Sequence, residues 1–76
     1  MKNYKIIIKV NKRFKIATCA DEWMANFLYD SAVSECVART KTKEFCGEIP
    51  HIILVNTETE AIIKECIVTD GTVYDQ

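Results

Sequence analysis

Glycine, proline and histidine are scarce in this chain of 76 residues, which holds two, one and one of them. With glycine only at Gly47 and Gly71, no glycine-rich loop can bring backbone N–H groups around a phosphate. The four cysteines, at positions 19, 36, 46 and 66, contain no C-x-x-C pair. A metal site would need Cys36, Cys46, His51 and Cys66 to converge, and that spacing matches no zinc pattern. A Cys46 nucleophile with His51 as base would lack an orienting third group and an oxyanion site. We expect no metal, no cofactor and no catalysis.

Long apolar runs are missing too, and nothing approaches the roughly 20 residues of a membrane span. Lys2 and Lys5 lead into an apolar run that is too short, and too broken by Lys9, to be a secretory core. The expectation is a cytoplasmic protein with reduced thiols, two or three of them acting as small buried hydrophobes.

What the chain does have is apolar content near half, at 49%, which favours a globular fold over disorder. This length suits one domain spanning 1–76, with a single core and little stability to spare. Its longest periodic stretch runs from Ala20 to Lys43. At about 100° per residue, Ala25, Leu28, Tyr29, Ala32, Val33, Cys36 and Val37 share one arc. That predicts a helix over 21 to about 41, with Leu28, Ala32 and Cys36 facing a core. Asp21 is a favoured N-cap, with Thr18 and Asp21 offering an alternative arrangement, and Glu22 suits the positive end of the dipole. Gly47 and Pro50 then bar continuation. Trp23 and Phe27 are misfits, since they fall on the polar side one turn apart.

The remaining chain reads as strands. Tyr4, Ile6, Ile8 and Val10 alternate with Lys5, Ile7 and Lys9. Asn11 and Lys12 form a short break, and 13–19 returns as the second arm of a hairpin. His51 to Thr57 is apolar on both faces, as an interior strand should be, and 61–69 follows after a polar connection. Asp70 and Gly71 signal a tight turn and a brief return over Thr72 to Tyr74. The predicted fold is α+β, β-β-α-β-β with a possible short fifth strand. One helix would pack on a mainly antiparallel four-stranded sheet. The other sheet face would stay open, lined by Ile7 and Ala17 and partly basic.

Charge is distributed unevenly. The first twenty residues hold six basic side chains and no acidic one; the other 56 hold four basic and eleven acidic. Lys5, Lys9 and Lys15, with Arg13 beside them, are expected on one face of the hairpin. There they would meet phosphates or an acidic protein surface, or simply keep an edge strand soluble. The overall acidity and scarcity of arginine argue against a nucleic-acid partner. Trp23 and Phe27 either anchor a partner or fold over the sheet edge to complete a small core.

Taken together, Lys5, Lys9, Arg13, Lys15, Trp23 and Phe27 are the candidate partner-binding residues. The expected partner is a larger host protein or complex, with a homodimer through the open sheet face as a second association and no membrane. In size, composition and charge layout the chain resembles the inhibitors that phages and mobile elements make against host defence complexes, anti-CRISPR proteins among them. The resemblance is one of style and rests on no shared motif. A nucleic-acid-binding accessory protein and a small structural, dimerising subunit are the alternatives.

Overall fold

A computed structural model of the chain describes residues 3–42, 44 and 47–76. Its elements follow in the order β1 (Tyr4–Val10), β2 (Arg13–Cys19), α1 (Glu22–Thr40), β3 (His51–Asn56), β4 (Ala61–Thr69) and β5 (Thr72–Asp75). The fold is α+β as expected and the short fifth strand is present, giving the order β2-β1-β3-β4-β5 with every neighbouring pair antiparallel.

The hairpins follow from their turns. Asn11 takes φ 56° between β1 and β2, a left-handed conformation that asparagine tolerates. Asp70 and Gly71 are both left-handed, as a two-residue type I′ turn requires, and they join β4 to β5. β3 lies at the centre with β1 and β4 on either side, which accounts for its apolar run.

The helix starts where Asp21 accepts from the Met24 N–H at 3.3 Å. Its buried residues are Ala25, Tyr29, Ala32, Cys36 and Thr40, spaced by four, three, four and four positions along one face. They close over Ile6, Ile52, Leu54, Cys66 and Val68 to form the core. Ala32 and Cys36 face the sheet as expected. Leu28 is only half-buried and flanks the core, because Tyr29 beside it takes the central position.

Pairing decides the two sheet faces. Val10 pairs with Arg13 across a two-residue turn, so even-numbered residues of β1 share a face with odd-numbered residues of β2. Ala17 pairs with Ile6 and lies on the helix side, not on the open side where the sequence pattern put it. Its neighbour Ile16 pairs with Ile7 and takes that place. The open face is completed by Ile53 and Val55 from β3, Ile67 from β4 and Tyr74 from β5, which share registered rows with Ile7, Lys5 and Lys9. A bulge at Ile63 resets the register of β4, so that Ile62 pairs with Val55.

Candidate interaction surfaces

A five-stranded sheet is about 24 Å wide at ~4.8 Å per strand, whereas one helix with its side chains spans about 10–12 Å. A single helix therefore leaves a flank uncovered on each side. On the β2 flank lies a cleft of about 320 Å³, floored by Ile8, Val10, Ala32 and Cys36 and rimmed by Arg13, Lys15, Glu35 and Arg39. On the β5 flank Asp30, Lys64, Asp75 and Gln76 surround Tyr29. There Lys64 enters the helix side by laying its ammonium over the Tyr29 ring, 5.5 Å from the centroid.

The candidate residues separate onto three surfaces. Lys5 and Lys9 lie on the open face, in rows with Val55 and His51. Lys15 pairs with Ile8 and Arg13 with Val10, so both stand on the helix side at the mouth of the β2 cleft. The expected cluster of Lys5, Lys9 and Lys15 on one face is not formed: a two-residue turn carries Lys15 to the opposite side of the sheet.

Trp23 and Phe27 occupy the third surface. Their rings stack with centroids 5.8 Å apart and planes inclined by 14°, and they remain 68% and 54% exposed. They do not fold over the sheet edge; they stand on the side of the helix turned away from the core. Exposed Asp30, three positions on from Phe27, shares that side, whereas Glu22 points about 100° round the helix from Trp23.

Two further polar pairs brace the fold. Arg39 donates to Glu48 at 3.1 Å, holding the segment after the helix against its last turn. His51 Nε2 lies 2.9 Å from Glu65 Oε2 on the open face. That face is opposite the one that buries Cys66, which separates His51 from the cysteines weighed with it as ligands. Cys46 lies outside the described residues. Among the described residues no three histidine, cysteine, aspartate or glutamate side chains gather as a metal set would. Burial foremost, then Glu35, pushes the Cys36 thiol above its ordinary range, which favours the protonated form. Burial and the neighbouring Cys66 do the same to the Tyr29 hydroxyl.

Sequence reasoning missed the β2 cleft and the outer ring of the open face, where Phe14, Ile16 and Tyr74 are exposed. The count of turn residues in the first hairpin was the available signal. Among the described residues no helix is long and apolar enough to cross a membrane. Neither family models, curated proteins nor solved structures yield a match to this chain.

Proposed function

We propose that the protein is a non-catalytic binding protein that occupies and blocks a surface of a larger protein partner in the cytoplasm. The observation that carries this reading is the stacked, exposed Trp23–Phe27 pair. Two large rings held one helical turn apart on a rigid element bring much apolar area to an interface and lose little conformational freedom on binding. The core does not use them. Asp30 beside them favours a partner pocket that is apolar at its centre and basic at its rim.

In this reading the chain is a stoichiometric blocker, the mode of action of the phage and mobile-element inhibitors whose style it resembles. The nucleic-acid alternative is weaker. Lys5 and Lys9 are separated from Arg13 and Lys15 by the sheet itself, whereas phosphate tracking needs cations along one surface.

Immobilised wild-type chain and the Trp23→Ala variant, exposed to the same host lysate and then to the purified partner, test the proposal. The expected result is one retained protein species that leaves the variant faster. Retention of nucleic acid with a steep salt dependence, or equal dissociation from both chains, would overturn it.

A further inference from the structure

We propose that the uncovered sheet face pairs with the same face of a second copy, about a two-fold axis running along β3. Ile53 at its centre is already only 9% exposed with no helix above it. The apolar groups left in water are peripheral, and Phe14 on β2 and Tyr74 on β5 are among the largest of them. Five strands of about six residues give a face of roughly 24 by 20 Å. Corrugated side chains raise that footprint toward the ~800 Å² that each partner of a stable pair contributes.

Charge then selects the geometry. On this face Lys5 and Lys9 stand on β1, and Glu65 stands on β4, one strand to the other side of β3, with His51 of β3 2.9 Å from one of its oxygens. An axis along β3 lays β1 of one copy over β4 of the other, so that Lys5 and Lys9, in the rows on either side, reach Glu65 of the second copy diagonally. The same operation sets Phe14 over Tyr74 of the second copy, because both lie in the row of Lys9. An axis across the strands would instead lay β1 on β1 and oppose Lys5 to Lys9. Like charges facing across a desolvated interface are strongly disfavoured. The pairing is self-complementary, aligned like the sheets of a sandwich, and closed, so it ends at a dimer.

This inference does not depend on Trp23 or Phe27, which lie on the opposite side of the molecule. Sedimentation velocity tests it, with circular dichroism confirming that each variant is folded. Wild type and Trp23→Ala should sediment as dimers. Lys9→Glu and Glu65→Lys should each weaken association by about tenfold or more. An equimolar mixture of those two variants should restore the dimer, since each then offers the charge that the other lacks. Phe14→Asp, at an exposed position where folding is not at stake, should also give monomers. A monomeric wild type at its highest soluble concentration would overturn the proposal. So would charge variants that dimerise like wild type, or a mixture that stays monomeric.

Discussion

The Thr40 hydroxyl accepts a hydrogen bond from the Gly71 N–H at 2.9 Å, across 31 positions of the chain, while donating to the Cys36 carbonyl at 2.9 Å. Thr40 is buried, so this bond fixes the end of the helix to the turn between β4 and β5. Thr40→Val keeps the shape but leaves the half-buried Gly71 N–H without its acceptor, and should destabilise the fold by about 1–3 kcal/mol. Thr40→Ser should lose less. Urea unfolding of both variants checks this, and equal losses would show that packing rather than the hydroxyl matters.

Gly71 is constrained in a second way. Its φ is 80°, and a Cβ there would come within 2.5 Å of Lys41 Cγ. Gly71→Ala should lower stability by about 1–3 kcal/mol, most of it from the left-handed backbone. Adding Lys41→Ala should recover only a small part of the loss. Full recovery would place the penalty in the lysine contact instead.

The core makes a ranking. Leu54 is fully buried in the central strand, Leu28 only half-buried beside the helix face. Leu54→Ala should destabilise by about 2–5 kcal/mol and Leu28→Ala by clearly less. Thermal melts of the two variants report the order directly, and a larger loss at Leu28 would contradict the helix orientation.

Stability should fall on the alkaline side. Burial raises the Cys36 thiol above 9.0 and the Tyr29 hydroxyl above 10.0 in the folded chain. As pH rises past those ordinary values the unfolded chain loses protons that the folded chain still holds, so the unfolded state gains and stability declines. Below about pH 8 neither group contributes an appreciable slope. Tyr29→Phe should lessen the decline above pH about 10, which melting curves at stepped pH would reveal. An unchanged slope would remove Tyr29 from that linkage.

How far the sequence carried differs between fold and surfaces. The helix was legible because Asp21 caps it and its apolar positions repeat at 3.6, and its span was read within a residue or so. The β4–β5 turn was legible in Asp70 and Gly71, since few other pairs adopt two left-handed residues cheaply. The error lay in parity. Alternation tells which residues of one strand agree with each other, but only the turn length tells how two strands share a face, and so Lys15 and Ala17 were put on the wrong side. The exposure of Trp23 and Phe27 was not readable from periodicity either. The helical arc places them away from the core, yet only the packed sheet shows that no edge reaches round to cover them.

The central claim is that the Trp23–Phe27 pair anchors a protein partner. The measurement that tests it most directly is the dissociation rate of the captured partner from wild type and from Trp23→Ala, with the melting temperature of each chain as control. An anchor worth about 2 kcal/mol or more should make the variant release its partner more than about tenfold faster while its melting temperature stays unchanged. Equal dissociation rates from two equally stable chains would contradict the account.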